Sequence, residues 1–164
     1  MFECGRVPID RWYKNHSKKC VARLEYRVFE AIEIECNKVI GYYALQLGSE
    51  SLKAIEYKPN DYTKNYVAFP SVRLAYLGVH SEYQRRGVGT ALLSDVFDRV
   101  AQISDHAGFY ALTLQSLDTA STKFYTSLGF TRYAGPDESP KMLIALRTIR
   151  DLVYGPDQNS QAEP

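Results

Sequence analysis

An α/β (α+β) fold with a mixed sheet is predicted by three observations on the 164-residue chain. Two early runs rich in Val, Ile, Tyr and Phe read as strands of a hairpin. An apolar run over residues 71–79, an amphipathic helix and a second apolar run over 109–115 form a strand–helix–strand unit, whose crossover is right-handed and whose strands are parallel. A further helix and strand then complete the alternation.

Each element has its own local signal. Residues 11–20 (RWYKNHSKKC) hold Arg11, Lys14, Lys18 and Lys19 with no acid and read as a solvated helix face. Arg23–Ile34 and Val39–Leu47 are the hairpin strands, with Asn37-Lys38 at the turn. The polar, tyrosine-dotted stretch Gly48–Phe69 reads as a short helix plus a loop. Ser71–Val79 is a central strand covered on both faces, with Gly78 a bulge or a point of close approach. Val88, Leu92, Leu93, Val96, Phe97, Val100 and Ile103 recur at three- and four-residue steps, so one apolar stripe of a helix packs on the sheet and Gly108 punctuates its end. Phe109–Gln115 is the second central strand. Asp118 or Thr119 caps a helix running through Leu128, Gly129 supplies the left-handed C-cap, and Met142–Arg147 is the last strand. The closing GPDQNSQAEP marks residues 151–164 as an acidic, disordered tail, leaving residues 1–150 as a single domain.

Charge and cysteine usage exclude several classes. Lys and Arg total 20 against 19 Asp and Glu, a net charge of +1, which hides +4 on residues 1–150 beside the acidic tail. Nothing global marks a nucleic-acid or membrane binder. Cys4, Cys20 and Cys36 form no close pair and share no ligand spacing with His16, His80 and His106, so no metal site is expected. The odd cysteine count and the absence of a cationic-then-apolar leader predict a cytoplasmic protein. Apolar stretches such as Val39–Leu45 fall far short of the roughly 20 residues that span a bilayer.

The segment YQRRGVGTALL, 83–93, lies between the first central strand and the amphipathic helix. Glycines at 87 and 89 allow a tight curl that brings N–H groups of Arg86, Gly87, Val88, Gly89 and Thr90 toward an anion at the helix's positive end, with Arg85 and Arg86 adding mobile charge. On its own the pattern is equally a tight strand-to-helix turn. It is neither the dinucleotide G-x-G-x-x-G nor a P-loop, which would need Lys-Ser/Thr after the glycines.

Gln84-Arg85-Arg86-Gly87-Val88-Gly89, preceded by Leu77-Gly78-Val79, resembles the Q/R-x-x-G-x-G/A signature of the GNAT superfamily of N-acetyltransferases. Phe124-Tyr125-Thr126-Ser127-Leu128-Gly129-Phe130 resembles that family's second motif, about 40 residues on. The resemblance implies a mostly antiparallel sheet with two splayed central parallel strands, and acetyl-CoA as donor with no metal. Its pyrophosphate would lie on the Gln84–Thr90 loop, and its pantetheine arm would bond the main chain of Leu77 and Val79. Acetyl transfer to an amine needs a neutral amine, a polarised carbonyl and a proton for the departing thiolate. Backbone N–H near Gly78 and Val79 would polarise the carbonyl, and Tyr125 would deliver the proton; Phe124 beside it reads as a core residue. His80 and Glu82 do not declare themselves as a base, and Asp118, where many relatives carry Asn, reads as a cap.

Beyond the core, Phe2-x-Cys4-Gly5, Ile9-Asp10-x-Trp12, Gly41-Tyr42-Tyr43-Ala44-Leu45 and Pro70-Ser71-Val72-Arg73-Leu74 resemble the aminoacyl-tRNA-acetylating toxins of bacterial toxin-antitoxin pairs. That resemblance implies an aminoacyl-tRNA acceptor, a protein antitoxin and a homodimer. The α-amine of an aminoacyl ester titrates below the free α-amino value of about 7.7 to 8.0, so such an enzyme needs no base. Arg11, Lys14, Lys18, Lys19 and Lys64 are the candidate contacts to the RNA backbone, while Tyr76 stands where that branch commonly has Arg. A protein or small-molecule amine as acceptor, and a non-catalytic coenzyme-binding module, are the alternative readings.

Overall fold

The computed structural model describes residues 2–51 and 68–156. The elements run α1 (Val7–Asn15), α2 (Ser17–Ala22), β1 (Arg27–Glu33), β2 (Lys38–Ser51), β3 (Ala68–Val79), α3 (Val88–Ser104), β4 (Ala111–Gln115), α4 (Thr119–Ser127), β5 (Thr131–Ala134), β6 (Lys141–Ala145) and α5 (Leu146–Tyr154). The described strands form a mixed sheet in the order β1-β2-β3-β4-β6-β5. Pairs β1/β2, β4/β6 and β5/β6 are antiparallel. β3 and β4 run parallel, as strands joined by a crossover helix must, and the α/β fold expected from the sequence is the one adopted.

The chain divides into two compact units. One comprises the residues up to Leu47 together with Arg73–Val96. Its core gathers Phe2, Cys4, Trp12, Tyr42 and Ala44, with Ile9, Tyr13 and Tyr76 against them. The aromatics are arranged by ring geometry. Trp12 stacks on Tyr76 with centroids 4.0 Å apart, and Phe2 stands edge-on to Tyr42 at 5.1 Å; such pairs add about 0.5–1.5 kcal/mol beyond the area they bury. The Tyr42 hydroxyl donates to the Ile9 carbonyl at 3.0 Å, so this buried polar tip is satisfied.

The other unit comprises Gly48–Val72 with Phe97–Pro164. Phe69, Ala111, Tyr133, Ala134 and Leu143 form a core cluster there. The Thr113 hydroxyl donates to Ser71 Oγ at 3.4 Å, so two polar side chains are carried within the sheet without an unpaired group.

Several sequence expectations need correction. The stretch Gly48–Phe69 is not simply helix and loop: β2 continues to Ser51 and β3 begins at Ala68, because Glu50 is buried in the strand and takes Lys141 Nζ at 3.5 Å. Residues 52–67 of that stretch, Lys64 included, lie outside the described residues. β1 starts at Arg27 rather than Arg23, because α2 runs to Ala22 and the chain then reverses through Leu24 at φ +62°. α3 ends at Ser104, short of Gly108, and β4 starts at Ala111. The last strand stops at Ala145, where α5 takes over. That helix reaches Tyr154, four residues into the segment read as a tail, because Ile149 is fully buried and Arg150 donates to Ser104 Oγ and Asp105 Oδ1, both at 2.6 Å. β5, only four residues long, carried no sequence signal.

Two glycines shape the strands that carry the candidate site. A Cβ on Gly78 would stand 3.0 Å from Ile9, 3.1 Å from Tyr42 and 3.2 Å from Phe2, so close approach is its role. A Cβ on Gly41 would meet Leu92 at 2.8 Å and Val88 at 3.3 Å, which fixes how nearly the first turns of α3 can lie against β2.

Candidate active site

The corner between β3 and α3 is built from backbone. His80 follows the strand, its N–H donating to the Ile40 carbonyl at 2.8 Å, and a single 3-10 turn, Ser81–Tyr83, redirects the chain. Arg85 then takes φ +61° and Gly87 φ +80°, the left-handed region that favours glycine. Nothing lies within 4 Å of a Cβ built on Gly87, so conformation and not space calls for glycine there. The first bond of α3 runs from Ala91 N–H to the Gly87 carbonyl at 3.0 Å. Among the described residues, none of the N–H groups from Arg86 to Thr90 finds a backbone acceptor. Alternating backbone hand and unpaired amides at a helix N-terminus are an arrangement that can receive an anion. Arg85 and Arg86 are exposed, and the Arg86 guanidinium lies 5.7 Å from the Tyr83 ring centroid.

Gln84 is exposed, and its side chain bonds back to the main chain. Its Nε2 donates to the carbonyls of Cys4 (2.8 Å) and Val79 (3.0 Å), so this residue anchors the loop. The Val79 carbonyl, expected to serve the pantetheine arm, thus already has one donor. Leu77 and Gly78 lie beside it in β3.

Both residues considered as a base are engaged at the corner. His80, 7% exposed, accepts the Glu82 N–H on Nδ1 at 3.3 Å and sits edge-on between Phe2 and Tyr83. The exposed Glu82 carboxylate takes Lys38 Nζ at 2.5 Å, and that hydrogen bond holds its pKa below the usual range. Both hold the corner in shape.

Tyr125 lies on α4, in the other compact unit from this corner. The helix starts at a reciprocal cap between Asp118 and Ser121, which occupies the Asp118 side chain as expected. At its far end Gly129 takes φ +94°, and the Leu128 and Phe130 N–H groups both donate to the Tyr125 carbonyl at 3.1 Å. The Tyr125 ring is 8% exposed, edge-on to Phe124 and Phe130. Its hydroxyl has no hydrogen-bond partner among the described residues. No fully buried side-chain oxygen or nitrogen there is left unpaired, so this hydroxyl keeps some exposure. Burial pushes its pKa up, and the phenol keeps its proton throughout the neutral range.

Arg11 and Lys14 on α1 and Lys18 and Lys19 on α2 are exposed, and none forms an ion pair among the described residues. Among those residues no cluster of His, Cys, Asp or Glu could hold a metal ion, and no helix is long and apolar enough to cross a membrane. What the sequence did not reveal is the tie between Gln84 and Cys4, since no pattern links residues 80 apart.

The model of an acetyltransferase (GNAT) domain matches residues 25–132. The "Probable toxin TacT" of Sinorhizobium fredii (strain NBRC 101917 / NGR234) is 26% identical over 159 residues, covering 93% of this chain and 87% of that protein. The "tRNA-acetylating toxin" of Mycobacterium tuberculosis (strain ATCC 25618 / H37Rv) is 28% identical over 117 residues, covering 71% and 68%. Among solved structures, a tyrosine-to-phenylalanine mutant of KacT superposes with a TM-score of 0.85 at 23% identity, covering 92% of this chain and 89% of that one. AtaT complexed with acetyl-methionyl-tRNAfMet superposes at 0.82 with 24% identity, covering 93% and 89%, and AtaTR bound with AcCoA at 0.79 with 24% identity, covering 93% and 88%. These structures share the fold.

Proposed function

The chain belongs to the GNAT acetyltransferase family, and from that premise we propose that it moves an acetyl group from acetyl-CoA to the α-amine of an aminoacyl-tRNA, as the toxin of a toxin-antitoxin pair. The tuberculosis relative is named for acetylating tRNA, AtaT is found complexed with acetyl-methionyl-tRNAfMet, and an AtaT mutant is found bound to the C-terminus of the antitoxin AtaR; these support the acceptor and the antitoxin proposed. A cytoplasmic location follows from that acceptor, and the single catalytic domain expected over residues 1–150 extends through α5 to Tyr154.

Acetyl-CoA supplies the activated acyl group as a thioester. The unpaired amides from Arg86 to Thr90 suit its pyrophosphate: they are donors without acceptors, aligned with a helix dipole. Leu77, Gly78 and Val79 offer main-chain groups to the pantetheine arm and the carbonyl, and Arg85 and Arg86 add charge. Tyr125 holds a proton on an unpartnered hydroxyl for the leaving thiolate. That hydroxyl, buried enough to keep its proton and without a hydrogen-bond partner among the described residues, is the observation that carries the reading as an enzyme over the reading as a coenzyme-binding module. The pairing of Glu82 with Lys38 and of His80 with its own turn agrees with an acceptor amine that arrives neutral. Arg11, Lys14, Lys18 and Lys19 are the cations for the RNA backbone.

The experiment is transfer of labelled acetyl from acetyl-CoA to charged and uncharged tRNA in parallel. Label on charged tRNA alone is the expected result. Label on polyamines or peptide termini, with none on charged tRNA, replaces the acceptor.

A further inference from the structure

Three aromatic rings of the first compact unit, on the α1 side of β3, form a stack with one open face. Trp12 and Tyr76 lie flat on each other, with centroids 4.0 Å apart and planes 13° from parallel. Tyr26 stands tilted beside both, 5.3 Å from Trp12 and 6.4 Å from Tyr76. The three distances make an acute angle at Tyr76, so Tyr26 lies on the same side of the Tyr76 ring as Trp12. The opposite face of Tyr76 therefore carries no aromatic partner among the described residues. Trp12 is buried, whereas Tyr26 and Tyr76 are half-buried, and neither tyrosine hydroxyl has a hydrogen-bond partner among those residues.

This face stands near the expected reacting centre. Residues two apart on a strand share a face. A Cβ on Gly78 would point at Ile9, Tyr42 and Phe2, which is the α1 side. Tyr76 thus precedes Gly78 on one face of β3, about 7 Å along the strand from the main chain read as polarising the acetyl carbonyl. The helix that supplies Trp12 also carries the exposed Arg11 and Lys14, and α2 carries the exposed Lys18 and Lys19. Rings for bases and cations for phosphates are the combination that single-stranded nucleic acid takes. An amino-acid side chain would draw on the rings alone. It also branches from the carbon that bears the amine, whereas the base is set off from the amine by the ester and the ribose, as this ring is set off from the carbonyl site.

We propose that Tyr76, backed by Trp12, is a specificity-determining residue whose open face stacks on the base of the nucleotide that carries the aminoacyl ester. The inference rests on the reading of an aminoacyl-tRNA as acceptor. Where the toxin branch commonly has Arg, this chain offers the acceptor a neutral flat surface. The contact needs the ring and not its phenol oxygen.

The experiment compares kcat/KM on the full chain for two charged tRNAs that differ only at the 3′ terminus, one ending in adenosine and one in an abasic ribose. Removing the base should cost the wild type about tenfold or more, the scale of one stacked base, and this arm needs no variant. Tyr76→Leu should lose about as much on the adenosine substrate, and then no more than about twofold when the base is removed, since the two changes delete one contact. Tyr76→Phe keeps the ring and should stay within about threefold of the wild type, with unchanged emission from Trp12, the only tryptophan in the chain. The acetyl-CoA KM should be the same in all three proteins. A wild type indifferent to the base overturns the inference alone, as does a Tyr76→Leu variant that loses as much with the base as the wild type does, or a Tyr76→Phe variant as impaired as Tyr76→Leu. A wild type that acetylates neither charged tRNA overturns the acceptor reading itself, and the inference with it.

Discussion

Asp118 and Ser121 cap each other: Asp118 Oδ1 accepts the Ser121 N–H at 2.8 Å, and Ser121 Oγ accepts the Asp118 N–H at 3.0 Å. The reciprocal pair satisfies the first turn of the helix that presents Tyr125. Asp118→Ala should therefore lower stability by about 1 kcal/mol, while Asp118→Asn, which keeps an accepting oxygen, costs less. Denaturant melts of both variants check this, and the acetyl-CoA KM should be unchanged in each. A large rise in KM for Asp118→Asn would reassign the side chain to the coenzyme.

Tyr125→Phe removes an oxygen that has no hydrogen-bond partner among the described residues, so the fold should be indifferent to the change. Turnover should fall by about 10²–10⁴-fold, the usual scale for losing a general acid, with acetyl-CoA affinity nearly intact. Stopped-flow thiol release together with equilibrium binding separates the two quantities. Growth arrest on expression should be relieved by the same substitution.

If the exposed cations of α1 and α2 meet RNA phosphates, the logarithm of affinity for charged tRNA should fall linearly with the logarithm of salt. Lys18→Glu with Lys19→Glu should weaken binding across all tRNA species and flatten that slope. Both residues are exposed and unpaired among the described residues, so melting temperature should hardly move. A salt-independent affinity would point to an acceptor without phosphates.

The Cys4 thiol is pushed up to about 11 from an ordinary 9.0, chiefly by burial. Because the folded value is the raised one, its contribution to stability is fully present below pH 9 and is lost as the pH rises toward 11. Cys36, by contrast, is exposed. Native alkylation at pH 8 should modify Cys36 readily and leave Cys4 intact until denaturant is added, which peptide mass mapping reads directly.

The sequence made the chemistry more legible than its scaffolding. The glycine loop and the Phe124–Phe130 motif are local patterns, and α3, β4, α4 and both of its caps lie where those patterns put them, within a few residues. Elements fixed by distant partners were harder to see. α5 depends on Arg150 reaching Ser104 and Asp105, and the far end of β2 depends on Glu50 meeting Lys141; neither tie leaves a periodic trace in its own segment. Gln84 lay inside the recognised motif, yet its orientation is set by Cys4, 80 positions earlier.

The seat at the start of α3 is made of peptide N–H groups, and every residue except proline carries the same one. Substitutions that keep the backbone path leave these donors in place, so an alanine scan of this loop would report on its side chains and not on its N–H groups. Only changes to backbone path reach them: proline anywhere in the seat, or a branched residue at Gly87. A seat of this kind would survive wide divergence of the side chains around it.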